Sequence, residues 1–211
     1  MPGHFITFEG GEGCGKTTQV ALLAQRLSQM GTTVVTTREP GGSPLAERLR
    51  TLLLQPSPHE TIEPITELLL MSAARCQHLA HKIQPALADG QWVLCDRFHD
   101  SSWVYQGCGR GLAPDLIATL NGWVTATTFP DLTFILDIDP VIGLQRTLQR
   151  DGNQDRFARE GMAFHQRLRQ GFLQLAQQHP QRCRLIDAAQ SPEQIAEQIW
   201  QQLQQAYHGL R

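Results

Sequence analysis

An α/β fold, a parallel sheet flanked by helices on both faces, is what this sequence predicts, and three observations predict it. Five short apolar, β-prone runs punctuate the chain, and helical patterning separates each from the next. The clearest run, Leu132-Thr133-Phe134-Ile135-Leu136, is continuously apolar, as strands buried on both faces must be. A chain of 211 residues, 41% hydrophobic and 18% charged, has room for one such domain and too little for two of ordinary size.

Taken in order, Phe5-Ile6-Thr7-Phe8 reads as a strand that ends in a glycine cluster, and residues 15–30 follow with helical spacing. A second strand covers 34–37, then helices are expected at 45–54 and 62–88. Residues 92–95 form a third strand and 112–125 a helix; the strand at 132–138 is placed at the centre of the sheet by its continuous apolar character. Helices at 141–149 and 161–178 lead to a fifth strand at 183–186. The last helix, 192–208, opens on Ser191-Pro192-Glu193, a capping residue followed by proline at the first helical position. Its Ile195, Ile199, Leu203 and Ala206 keep helical spacing beneath a glutamine-rich solvent face. Asp, Gly and Asn together at 150–154 mark a mobile loop.

Eighteen basic and twenty acidic side chains give a net charge of −2 with no run of like charges, so neither nucleic acid nor an anionic bilayer is an expected partner. The apolar stretches, such as 68–71 and 134–136, fall far short of the roughly 20 residues a membrane span needs. The opening Met1-Pro2-Gly3-His4-Phe5 lacks a basic n-region and an apolar h-region, so a cytoplasmic location is expected. Five cysteines, odd in number and without a C-x-x-C pair, read as reduced thiols.

Gly10-Gly11-Glu12-Gly13-Cys14-Gly15-Lys16-Thr17 matches G-x-x-x-x-G-K-[ST], and it lies between a strand and a helix, as its mechanism requires. Glycines let backbone N–H groups turn inward around a phosphate, and the following helix aims its positive dipole end at the same anion. With only Lys16 and Lys82 in the chain, chance supplies roughly 0.0015 such matches. The fold is therefore an α/β P-loop NTPase fold with a five-stranded parallel sheet. The ATP-binding set is residues 10–17 with Thr18; Lys16 is expected on the β and γ phosphates, and the Thr17 hydroxyl on Mg²⁺. Trp92-Val93-Leu94-Cys95-Asp96 is an apolar strand ending in a carboxylate, which makes Asp96 the second metal ligand. Asp137 and Asp139 are alternatives, Asp139 doubling as a helix cap before Pro140; the adjoining Arg97, a second phosphate-binding group, favours Asp96.

Neither lysine sits in an N/T-K-x-D setting, which argues against a guanine-specific GTPase, and the chain is too short for a large ATPase coupled to another domain. A small-molecule phosphotransferase fits. The sequence resembles the bacterial thymidylate kinases along nearly its whole length. The likeness rests on Phe8-Glu9-Gly10, Arg38-Glu39-Pro40-Gly41-Gly42, Ala73-Ala74-Arg75, Asp96-Arg97-Phe98 with Ser101, Tyr105, Gln106 and Gly107, Pro130-Asp131-Leu132-Thr133, and Asp155-Arg156-Phe157.

That resemblance implies a homodimer and transfer of the ATP γ-phosphoryl group to dTMP. It implies that Glu12 approaches the acceptor's sugar 3′-hydroxyl and phosphate, and that Arg50 and Arg97 hold that phosphate. It further implies Arg75 on the thymine, Ser102 at its polar edge, Gln106 in the dTMP site and Tyr105 against the ribose 2′ position. A mobile lid at about 146–157 would supply Arg146, Arg150 and Arg156 to the transferred phosphoryl group. Two positions depart from the family pattern: Met71 stands where an aromatic ring often stacks on the base, and Ala158 where an acid often follows the Asp-Arg-Phe triplet. Phe98 is the alternative cover for the base. A kinase for another monophosphate or for a nucleoside, with Glu9 or Asp96 as its base, and a non-enzymatic ATP switch are the competing readings.

Overall fold

The computed structural model describes residues 3–55, 59–151 and 156–207, without the side chains of 150 and 151. Five parallel strands run β1 (Phe5–Gly10), β2 (Val34–Arg38), β3 (Trp92–Asp96), β4 (Leu132–Asp137) and β5 (Cys183–Asp187), in the spatial order β2-β3-β1-β4-β5. The centre of the sheet is β1, not the 132–138 strand; β4 lies between β1 and β5. Continuous apolar character marks any strand with neighbours on both sides, so it does not single out the middle one. In the register Phe8 pairs with Asp96 and Gly10 with Leu136, which brings the ends of β1 and β3 together beside the glycine cluster.

Alternation along the strands divides the core. Ile6, Phe8, Phe134 and Leu136 meet Val20, Leu23 and Leu27 of α1 (Lys16–Gln29) and Ile195, Ile199 and Leu203 of α9 (Pro192–Ala206). On the opposite face Ile135 and Cys183 meet Phe164, Leu168, Phe172 and Leu175 of α8 (Met162–Gln178), while Phe5 and Val93 pack on Leu79, Ile83 and Ala86. The Ser191 hydroxyl and the Gln194 side chain form a reciprocal capping box at the start of α9.

The remaining helices are α2 (Pro44–Leu54), α3 (Pro64–His78), α4 (Gln84–Ala88), α5 (His99–Ser102), α6 (Pro114–Thr125) and α7 (Pro140–Asp151). The expected 62–88 helix is interrupted by a wide π-helical turn, Leu79–Ile83, ahead of Pro85. The sequence pattern assigns no element to residues 99–109, yet α5 runs on there into a second π-helical stretch, Trp103–Gly109. Ser, Trp, Val, Tyr and Gly are poor helix formers. Burial of Ser102, Val104, Tyr105, Gln106 and Gly109 holds this segment in helical form instead. The structure puts 146–151 of the expected lid inside α7; residues 152–155 lie outside the described ones.

Candidate active site

The glycine loop leaves β1 with Gly10 at φ +139°, where a side chain would collide with the Leu136 carbonyl. Gly13, at φ +66°, packs against Gly143 of α7 so closely that a Cβ on either would strike the other's segment, the Gly143 carbonyl or the Glu12 carbonyl. These contacts require glycine. Gly15 precedes the first turn of α1 in the left-handed conformation, and Cys14 is buried. The Lys16 ammonium donates to the carbonyls of Gly10 (3.2 Å) and Gly11 (2.8 Å), folded over the loop. Thr17 Oγ1 donates to Asp96 Oδ2 at 2.6 Å, so two hard oxygens meet at the loop's edge. The rival carboxylates are engaged elsewhere: Asp137 accepts the Arg169 fork (2.8 and 2.9 Å), and Asp139 caps α7 through the Val141 N–H.

A cleft of about 200 Å³ opens beside this loop. Glu12 lies on its floor, where one carboxylate oxygen accepts from Arg97 Nη2 (2.9 Å) and from the Tyr105 hydroxyl (2.7 Å). Burial by itself raises the Glu12 carboxyl, but the charges of Arg97 and Lys16 and the Tyr105 hydrogen bond bring it down to about 2. Because this lies below the ordinary 4.5, Glu12 contributes stability that is present above about pH 4.5 and lost as pH falls toward 2. Urea unfolding of the wild type and Glu12→Gln is expected to show a stability gap that shrinks across that window; a gap independent of pH would refute the ionic pairing.

Arg97 gives Nη1 to the Gly10 carbonyl (3.0 Å) and to Ser101 Oγ (3.4 Å), and its guanidinium lies 4.8 Å from the Tyr105 ring centre. With Nη2 on Glu12, three of its five N–H groups are placed, which leaves Nε and one Nη2 hydrogen for an anion. Its backbone is left-handed, at φ +69°. The neighbouring Glu9 is fully buried and accepts from the N–H groups of Phe98 and Ser101 and from the Ser101 hydroxyl. Burial, then the nearby Asp100, push the Glu9 carboxyl up to about 7.

Further into the cleft, Arg75 is fixed on every side. Nε donates to Glu39 (2.7 Å), Nη1 to Ser102 Oγ (3.0 Å) and Asn121 (3.2 Å), and Nη2 to the Phe98 carbonyl (3.1 Å). His78 backs Glu39 at 3.1 Å and reaches Thr37 at 2.7 Å. The carboxylate partner that a buried arginine needs is thus Glu39, and one N–H remains for a ligand. Met71 and Phe98 both form walls of the cleft, and Arg50, at its edge, donates to the Pro40 carbonyl at 2.8 Å. Gln106 lines it while donating to the buried Glu67 (2.8 Å).

The cleft therefore gathers Glu12, Lys16, Thr17, Thr18, Arg50, Met71, Arg75, Asp96, Arg97, Ser102, Tyr105 and Gln106. Of the lid arginines, Arg146 and Arg156 do not line it. Arg146 donates to the Ala188 carbonyl (3.0 Å) and lines a second groove of about 310 Å³ with Cys14 and Gln190, which shares Gly13, Gly15 and Thr18 of the phosphate loop with the cleft. Arg156 turns to Glu67 (2.6 Å) and to the Leu53 carbonyl (3.0 Å), drawn by a buried carboxylate that Arg110 also pairs. The Arg150 side chain lies outside the described residues. His99, next to Phe98, packs between the rings of Phe98 and Phe129. Sequence reasoning assigned no role to Glu39 or Ser101; the only signal for Glu39 was a carboxylate next to the Pro40-Gly41-Gly42 turn.

Comparisons agree with this architecture. The sequence model of the thymidylate kinase family matches residues 8–199. The chain is 50% identical over 204 residues to the thymidylate kinase of Magnetococcus marinus, covering 97% of each, and 54% identical over 199 residues to that of Pseudomonas putida, covering 94% of each. The crystal structure of thymidylate kinase from Ehrlichia chaffeensis superposes with a TM-score of 0.79 at 37% identity, covering 97% of this chain and 99% of that one. With its phosphate loop, arginine-lined cleft and sheet order set beside that agreement, the chain belongs to the thymidylate kinase family.

Proposed function

We propose that this chain transfers the γ-phosphoryl group of ATP to dTMP, giving dTDP and ADP, with the donor phosphates on the glycine loop and dTMP in the cleft. The observation that carries the reading is the pairing of Lys16 with Arg97 on two sides of one cleft, with Glu12 between them. The acceptor oxygen belongs to a phosphate already largely ionised near neutral pH, so no base is needed. The obstacle is repulsion between two anions, and the protein answers it with positive charge and alignment. Lys16 neutralises the donor, and the free N–H groups of Arg97, with Arg50 beside them, orient the acceptor in line.

Thr17 Oγ1 and Asp96 Oδ2, hard oxygens at the loop's edge, suit Mg²⁺, which prefers one or two such ligands alongside substrate phosphates. When bound there, Mg²⁺ supplies charge neutralisation to the β and γ oxygens. The groove lined by Arg146 and Gln190 fits the far end of the donor nucleotide. The chain is read as one kinase domain with a lid around 146–157, its helical part carried by α7.

A nucleoside kinase is disfavoured by the position of Glu9, whose carboxylate is buried beneath the cleft and occupied by three donors, out of reach of a sugar hydroxyl. Tyr105, wedged against Phe157 and tied to Glu12, stands as the gate against a ribose 2′-hydroxyl. Tyr105→Ala is expected to lower the preference for dTMP over its ribonucleotide by about 10-fold. Equal preference ratios in kcat/KM for variant and wild type would remove the gate. Overall, ADP release with ATP and Mg²⁺ against a panel of nucleoside monophosphates and thymidine tests the reading; thymidine as the better acceptor would overturn it.

A homodimer belongs to the same proposal. Ile65 and Leu69 of α3 and Leu116 and Trp123 of the adjacent α6 expose apolar side chains, Trp123 at 79%. Light scattering after gel filtration is expected to give twice the chain mass, and a Leu69→Arg, Trp123→Glu variant the single mass. Residence in the cytoplasm accords with five cysteines held as free thiols.

A further inference from the structure

We propose that Glu9 is the positioning residue for Arg97, its buried carboxylate standing in for the cap that α5 lacks and so fixing the turn from which Arg97 reaches the cleft. Three consecutive residues at the end of β1 hold this turn. The Phe8 carbonyl accepts the Arg97 backbone N–H at 2.9 Å. Glu9 Oε1 accepts the N–H groups of Phe98 (2.8 Å) and Ser101 (3.3 Å), and Oε2 accepts the Ser101 hydroxyl (2.6 Å). The Gly10 carbonyl then accepts Arg97 Nη1 at 3.0 Å. Backbone, turn and guanidinium are each tied to successive residues of the central strand.

Local bonds do only part of this work. The residue preceding α5, Phe98, offers no side-chain hydrogen bond to the helix; its own buried N–H depends on Glu9, while the Ser101 N–H is shared between Glu9 and the Phe98 carbonyl (3.1 Å). Arg97 holds φ +69°, a conformation that a residue with a side chain keeps only when its surroundings impose it. Ser101 Oγ relays the constraint, because it donates to Glu9 and accepts from Arg97 Nη1 at 3.4 Å. Glu9 itself has no exposed surface and does not line the cleft, so its effect on the acceptor passes through Arg97.

This inference rests on Arg97 binding the acceptor phosphate, and the test separates the two. Steady-state kinetics are measured with ATP and dTMP for wild type, Glu9→Ala, Glu9→Gln, Glu9→Leu, Arg97→Ala and the doubles with Arg97→Ala. Glu9→Ala is expected to raise KM for dTMP about 10- to 100-fold while KM for ATP stays within about 2-fold. Glu9→Gln, whose amide oxygen accepts the same two N–H groups, is expected to remain within about 3-fold of wild type. In the Arg97→Ala background, Glu9→Ala is expected to add nothing to KM for dTMP. Should Glu9→Ala not fold, Glu9→Gln and Glu9→Leu carry the same test: the leucine, which accepts no N–H, is expected to raise KM for dTMP in the wild-type background and to add nothing without Arg97, and the glutamine to stay near wild type. Equal fold increases in both backgrounds, or a glutamine no better than alanine, overturn the role of Glu9 and leave Arg97 untouched. An Arg97→Ala enzyme with unchanged KM for dTMP overturns both.

Discussion

Lys16→Ala is expected to lower kcat by about 10³-fold or more while the protein remains folded. The side chain is buried, and its ammonium lies on the Gly10 and Gly11 carbonyls, over the loop that cradles the donor phosphates. It is also the only lysine near the cleft, since Lys82 lines a different groove. Circular dichroism should be unchanged, because the truncation removes hydrogen bonds to the Gly10 and Gly11 carbonyls and to Cys14 Sγ but none of the apolar side chains that pack the sheet. A variant keeping more than about a tenth of wild-type kcat would remove Lys16 from the chemistry.

Arg97→Ala is expected to act on the acceptor: KM for dTMP rises about 100-fold, and KM for ATP changes little. Two costs combine. The free Nε and Nη2 hydrogens are lost to the acceptor phosphate, and Glu12 keeps its negative charge on the cleft floor with its principal partner gone. That stranded charge then repels the incoming dianion, so the effect exceeds the loss of a hydrogen-bonded fork alone. Arg97→Lys is expected to recover little, because a single ammonium cannot serve Gly10, Ser101 and Glu12 as a planar fork does. An unchanged KM for dTMP in Arg97→Ala would sink the assignment.

The strands and the phosphate loop were legible because both are encoded locally. A run such as Phe5-Ile6-Thr7-Phe8 states its own burial, and the glycine spacing states its own turn; β1 extends only two residues beyond the expected run. That Arg75, Arg97, Ser102 and Tyr105 come together in one cleft was legible, but the element bearing the last two was not. Its Ser-Ser-Trp-Val-Tyr sequence has no helical preference, and the π-helical stretch exists because the sheet and α8 bury it. The positions of Arg146 and Arg156 outside the cleft were not legible for a related reason. A sequence gives an arginine's charge but not which carboxylate will claim it, and Arg156 is claimed by Glu67, a residue 89 positions earlier in the chain. The central strand was misplaced since strand order is decided by crossover connections, which no window of residues records.

Four of the five Arg75 hydrogens are already committed to Glu39, Ser102, Asn121 and the Phe98 carbonyl. A group so tethered can neither swing aside nor reverse its polarity. If, as proposed, the base meets Arg75, it must bring an acceptor to the remaining N–H. A cytosine, presenting an exocyclic amine where thymine presents a carbonyl, would set one donor against another, and the discrimination needs no moving part.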